Sequence, residues 1–166
     1  MKIVCIFADQ LFAFHYDGEV DNEYDRLMEL WTDVEFLSNY AKENNIPDVR
    51  KFVMNVLQGA EQIQNLLEEI NQNKKPFTTY FEPLQYSEIN RVLSLQKGKI
   101  RKNILRLYAI KLDDTCFLLT GGAIKMSQTM QGHPDTNREL EKLKQVRAYL
   151  KDNGVFDEDS FFELFI

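Results

Sequence analysis

The sequence predicts an α+β fold, with all 166 residues in a single domain. Apolar and aromatic runs at 2–7 and 11–16 are typical of strands, and a second pair of strand-like segments covers 104–112 and 116–125. Between and after them, apolar residues recur at the three- and four-residue spacing of helices. We therefore expect a small antiparallel sheet with an N-terminal hairpin, two amphipathic helices, a central C-terminal hairpin and a closing helix.

The first half of the chain supplies the N-terminal hairpin and both early helices. The strand-like runs flank Ala8-Asp9-Gln10, which favours a hairpin. Helical spacing from Glu23 to Asn44 predicts one helix, and a second helix is expected from Val49 to Ile70, after Pro47. Gly59 lies inside this second helix and costs about 1 kcal/mol relative to alanine, so a close contact is expected there.

The second half begins with an irregular aromatic stretch, residues 77–96, which is expected to hold a short strand and a helical turn. The helix predicted over 136–153 has a capping-box pattern at Thr136 and Glu139, and Gly154 stands where a left-handed residue ends a helix. Residues 157–166 are acidic and aromatic. Their apolar side chains are expected to dock on the chain's own core, with a partner protein or a second copy as the alternative.

Charge is distributed unevenly along the chain. The net charge is −6, but residues 1–96 hold eight Lys and Arg against sixteen Asp and Glu, whereas residues 97–151 are basic on balance. Such asymmetry indicates a polyanion-binding surface, unless it is a chance distribution of surface charge. Cys5 and Cys116 have strand-like neighbours and no CxxC spacing, which predicts buried free thiols in the cytoplasm. Neither a signal peptide, a membrane span nor a cofactor is expected.

The basic residues concentrate around the second hairpin. Alternation along the strand places Arg106 and Tyr108 on one face, about 7 Å apart. A two-residue turn at Asp113-Asp114 would place Gly121 opposite Arg106 and Lys125 opposite Lys102. One face would then hold Lys102, Arg106, Tyr108 and Lys125 around the open space at Gly121. A bulge at Gly121-Gly122 or a longer turn would shift this register.

Such a face suits phosphate chemistry. Arginine and lysine bind phosphates, and a tyrosine hydroxyl or a lysine of lowered pKa can move protons when a ribose 2′-OH attacks the adjacent phosphate. Repulsion among neighbouring cations would lower a lysine pKa. In the alternative reading, Arg106 and Lys111 are solvated strand residues and Tyr108 is a half-buried cross-strand partner.

A family resemblance favours the first reading. The run LRLYAIK, an acidic turn, FLLTGGAIKMSQTM and a helix containing VRAYL resemble the C-terminal half of HigB-like toxins of the RelE superfamily, over about residues 97–151. Those proteins are bacterial, ribosome-dependent mRNA interferases. The resemblance implies a metal-independent endoribonuclease in the cytoplasm, with mRNA on the ribosome and an antitoxin, expected to be a helix-turn-helix protein, as partners. A non-catalytic RNA- or protein-binding module of the same fold is the alternative.

The resemblance also assigns roles to residues. The catalytic residues would be Arg106, Tyr108 and Lys125, and His133 is a weaker candidate acid. The RNA-binding residues would be Lys97, Lys99, Arg101 and Lys102.

Overall fold

The computed structural model describes residues 2–8, 10–126 and 134–165. Its strands are β1 (Lys2–Phe7), β2 (Leu11–His15), β3 (Phe81–Pro83), β4 (Leu95–Gly98), β5 (Leu105–Asp113) and β6 (Cys116–Ile124). Its helices are α1 (Glu23–Leu30), α2 (Val34–Glu43), α3 (Val49–Gln72), α4 (Pro134–Asp152) and α5 (Glu158–Phe165). The α+β class is confirmed.

The six strands form one sheet in the order β1-β2-β6-β5-β4-β3. The expectation of a wholly antiparallel sheet is wrong, because β2 and β6 pair in parallel. Between these two strands the chain passes through three helices and the other half of the sheet, so the N-terminal hairpin joins the later strands side by side. The β5–β6 hairpin lies at the centre of the sheet, as predicted.

The sheet has a hydrophobic core on each face. Helices α1, α2 and α3 cover the face that includes Leu105 and Leu107. Helices α4 and α5 cover the opposite face, which includes Tyr108 and Ile110. Every residue of β6 is buried, which explains why the sequence of this strand is apolar or small throughout.

The N-terminal helices differ in one respect from the prediction. Two helices replace the single helix expected over 23–44, because Asp33 caps a new helix by accepting a hydrogen bond from the Phe36 N–H (3.1 Å). The second predicted helix is confirmed as α3. The close contact at Gly59 is also confirmed, since a Cβ there would lie 2.8 Å from Asn103 Oδ1.

The C-terminal helices confirm two predictions and correct a third. Helix α4 begins at Pro134, so Thr136 and Glu139 lie inside it and do not form a capping box. Gly154 does end the helix in the left-handed region, with φ +80°. Phe161 is fully buried and packs edge-on against Phe12 at 5.1 Å, so the terminal segment docks on the chain's own core.

The prediction for residues 77–96 is confirmed, whereas the prediction for the two cysteines is wrong in part. Residues 77–96 contain a short strand and helical turns, as predicted, but β4 also begins there. Cys116 is buried, whereas Cys5 is exposed, so the prediction of two buried thiols is wrong for Cys5. The reason is topological: Cys5 lies on β1, an edge strand of the sheet.

The register of the central hairpin also differs from the prediction. The turn is Asp114-Thr115, since Asp113 pairs with Cys116. Thr120 is an extra residue on β6, and this bulge, together with the later turn, places Gly121 opposite Tyr108 instead of opposite Arg106. The bulge that the glycine pair suggested therefore exists, one residue before it.

Candidate functional site

Three basic side chains meet at one end of the sheet, and we call them the cationic cluster: Lys97, Arg106 and Lys125. Lys97 of β4 lies opposite Tyr108, and Arg106 of β5 lies opposite Ala123. Diagonal neighbours on one sheet face are about 7–8 Å apart, which places Lys97 on one side of Arg106. Lys125 lies on the other side, where its backbone N–H donates to the Ile104 carbonyl at 2.7 Å.

Among the three cations of the cluster, Lys125 has a shifted pKa. Partial burial lowers the pKa of Lys125, and the positive charges of Arg106 and Lys97 lower it further. The direction agrees with the repulsion predicted from sequence, although burial is the larger cause. Within the described residues, none of the three cations forms an ion pair with a carboxylate. The cluster therefore presents uncompensated positive charge to an incoming anion.

Arg106 is held in place by the backbone. Its Nη1 donates to the Asn103 carbonyl at 2.5 Å and to the Leu105 carbonyl at 3.0 Å. A guanidinium carries five N–H donors, so these two bonds orient the group and leave other donors for a ligand. The arrangement suits a phosphate, whose oxygens accept paired hydrogen bonds from arginine.

Tyr108 lies on the same face but below the surface. Its side chain is 1% exposed, and burial raises its pKa to about 12. The space expected above Gly121 is filled, because a Cβ there would lie 2.7 Å from Glu139 Oε2 and 2.9 Å from Lys142 Nζ. The prediction of an open centre at Gly121 is therefore wrong, and the predicted role of Tyr108 in proton transfer stays a prediction.

The remaining predicted residues flank the cluster. Lys102 was expected on the face of Arg106 but lies in the exposed turn before β5, with φ +67°. Arg101 precedes it and is exposed, whereas Lys99 lies 3.4 Å from a Glu82 oxygen. His133 is outside the described residues. Lys97, assigned from sequence to the approach surface, lies in the cluster itself, because β4 is paired with β5.

A buried ionic network that the sequence did not reveal closes the sheet beside Gly121. Glu23 is 1% exposed, binds Arg26 through two 2.8 Å hydrogen bonds and accepts from Lys142 at 3.1 Å. Lys142 also lies 2.9 Å from Glu139, and its Nζ is 4.8 Å from the centre of the Tyr16 ring. Burial raises the pKa of Glu139, and Lys142 opposes that shift. The network joins α1 to α4 over β6.

A cleft of about 620 Å³ lies between α1, α2 and the start of α4. Its lining mixes two cations with three acids: Arg26, Arg138, Glu43, Asp135 and Glu139. Such a balance gives no preference for a polyanion, so the cationic cluster is the better candidate for nucleic-acid binding.

The fold and the cluster together describe an α+β protein that has a mixed sheet and a basic site at one end of that sheet. Comparison with protein-family models, curated proteins and solved structures found no match. Among the described residues, no group of three or more His, Cys, Asp or Glu side chains could hold a metal ion. No described helix is long and apolar enough to cross a membrane.

Proposed function

We propose that this chain is an endoribonuclease of the RelE type, the toxin of a toxin–antitoxin pair, which cleaves mRNA on the ribosome. The cationic cluster carries the proposal: backbone hydrogen bonds fix Arg106 between two lysines, and the pKa of one of them, Lys125, is lowered. The sequence resemblance over about 97–151 supports it, since the cluster's members all lie within that range.

The chemistry assigned to the cluster is an internal transesterification. Arg106 binds the non-bridging oxygens of the scissile phosphate and stabilises the charge that grows on them. Lys125, in its neutral form, removes the proton of the ribose 2′-OH. The 2′-oxygen then attacks phosphorus, a 2′,3′-cyclic phosphate forms, and the 5′-oxygen leaves with a proton donated by the Lys97 ammonium.

The proposal predicts growth arrest when the wild-type chain is expressed in a bacterium, with new cuts in translated transcripts. Arg106→Ala and Lys125→Ala should each abolish both effects, because they remove the phosphate ligand and the base. Mapping of transcript 5′ ends measures the cuts directly.

A matched control is Lys151→Ala, which removes an exposed lysine near the end of α4 and should leave arrest and cleavage intact. Harmless wild-type expression would contradict the proposal. A small adjacent reading frame that encodes a helix-turn-helix protein, whose co-expression restores growth, would supply the antitoxin.

The burial of Tyr108 favours a second candidate function, an RNA-binding module without catalysis. With Tyr108 in the core, the cluster lacks the hydroxyl acid that the resemblance implies. This alternative expects RNA binding that weakens with salt and no transcript cleavage.

A further inference from the structure

The two edges of the sheet are built differently. At one edge, β3 is three residues long, includes Pro83 and carries Glu82, whose carboxylate lies 3.4 Å from the Lys99 ammonium. A short strand, a proline and charged side chains are the features by which proteins stop an edge from pairing with a further strand. The β3 edge is therefore closed to another chain.

The opposite edge, β1, is open. It is six residues long, and its sequence, KIVCIF, contains no proline and no charged residue after Lys2. Among the described strands it pairs with β2 alone, regularly from Lys2 to Cys5 and with a bulge at Ile6 near the turn. In an edge strand about half of the main-chain N–H and C=O groups point away from the neighbouring strand. Those groups of β1 are available to a further strand.

The side chains of β1 also leave apolar surface at this edge. Four of the five residues of β2 are buried, whereas none of the six residues of β1 is. Ile3 is partly buried against the core beneath α4 and α5, and Ile6 and Phe7 are partly buried against the core on the other face. Both layers of the fold thus end at β1, and a further strand would extend them.

The edge suits a second copy of the chain. Unpaired main-chain groups are satisfied by another strand, which gives affinity through main-chain hydrogen bonds. A two-fold axis would set β1 antiparallel to itself and bring like residues close together. Like charges in such positions destabilise a pair of strands, and the uncharged run from Ile3 to Phe7 avoids this repulsion. Because each chain has one open edge and one closed edge, the pairing ends at two copies.

We propose that this chain forms a two-fold symmetric dimer through antiparallel pairing of β1 with β1 of a second copy, which joins the two six-stranded sheets into one. Strands β2 and β6 separate β1 from the strands that carry Lys97 and Arg106. The interface is therefore distinct from the cationic cluster, and the inference does not depend on the proposed function.

The test is sedimentation velocity of the full chain between roughly 1 μM and 1 mM, a range in which many specific complexes dissociate. We expect monomer to convert to dimer as the concentration rises, with no larger species. Hydrogen exchange at the two ends of this range gives a second measurement. The outward-facing amides of residues 3–5 should exchange more slowly at the high concentration, because the second copy accepts their hydrogen bonds.

A charge at the edge should weaken the dimer. Cys5 is exposed, and Cys5→Lys should raise the dissociation constant at least about tenfold, because the two lysines come close together across the two-fold axis. The matched control is Val92→Lys, which adds the same charge at a residue 55% exposed between β3 and β4 and should leave the dissociation constant unchanged. Urea denaturation at the lowest concentration checks that both variants fold.

Cross-linking tests the dimer without a charged variant. Because Cys116 is buried, a short bismaleimide reaches Cys5 and should join two wild-type chains, and Cys5→Ser should remove the product. A monomer over the whole concentration range would assign the edge to a strand of a different protein or to none, and would overturn the inference. Species larger than a dimer, or a dimer that Cys5→Lys leaves equally stable, would also overturn it.

Discussion

At the residue scale, a buried ion pair fixes the connection between β3 and β4. Glu88 is 4% exposed and accepts from Arg147 Nη1 at 2.6 Å and from the Leu95 N–H at 3.0 Å. Burial alone would raise the pKa of Glu88. The hydrogen bonds from Leu95 and Arg147, with the charge of Arg91, outweigh it and lower the pKa below its ordinary value of 4.5.

This pair makes stability depend on pH. Because the folded-state pKa of Glu88 is lowered, its contribution is complete above pH of about 4.5 and is lost as the pH falls through the folded-state value. Glu88→Gln should reduce the free energy of unfolding at pH 7 by about 3 kcal/mol, since it leaves Arg147 buried without a counter-charge. Urea denaturation between pH 3 and pH 7 measures both effects.

Glu69→Gln serves as the control, because Glu69 is exposed on α3 and its loss should change stability little. Replacing Arg147 by methionine in the Glu88→Gln background should recover part of the loss. Equal acid sensitivity in wild type and Glu88→Gln would show that other carboxylates cause it.

At the element scale, the short helix α5 is held on the sheet mainly by one buried side chain, that of Phe161. Phe161 is 0% exposed and contacts the ring of Phe12 on β2, and Phe162 approaches the same ring at 5.8 Å. Phe161→Ala should lower the free energy of unfolding by about 3–5 kcal/mol, because it leaves a cavity beneath the helix. Urea denaturation gives the stability, and hydrogen exchange shows whether β2 loses protection.

Glu163→Ala removes an exposed side chain from the same helix and is the matched control. If α5 were instead a docking segment for a partner, Phe161→Ala would leave the stability of the isolated chain unchanged. That result would contradict its assignment to the core.

At the scale of the whole molecule, the sheet lies between the cationic cluster and the three helices of the acidic N-terminal half. The cationic cluster lies on the face covered by α4, whereas α1, α2 and α3 of the acidic half pack on the other face. In the proposed function, an RNA strand bound at the cluster would therefore lie on the face of the sheet opposite to α1, α2 and α3.

Binding of RNA should depend on salt in proportion to the number of phosphates neutralised. With three contacts to single-stranded RNA, log K should fall with log salt with a slope of about −2. Arg106→Ala should make that slope shallower by about 0.7, because one contact is lost. Titrations by fluorescence anisotropy between roughly 50 and 200 mM KCl measure the slope. A slope that Arg106→Ala leaves unchanged would mean that the RNA lies elsewhere.

Local signals were enough for most elements of this fold. The close contact at Gly59, the end of α4 at Gly154 and the helix α3 were all predicted correctly. Each of these predictions depends on residues within one or two helical turns of one another. Spacing alone missed the break at Asp33, since α2 resumes with almost the same apolar phase. The capping-box pattern at Thr136 misled for a different reason, since a Thr and a Glu three residues apart occur inside a helix as well as at its start.

The sequence by itself determined the α+β class, the central hairpin and the concentration of basic residues around it. Only the tertiary structure decided which of those residues meet. The later turn and the bulge at Thr120 moved Gly121 opposite Tyr108, the pairing of β4 brought Lys97 beside Arg106, and α4 filled the space expected to be open. Strand register and layer packing depend on contacts between residues far apart in the chain, whereas sequence patterns report only on near neighbours.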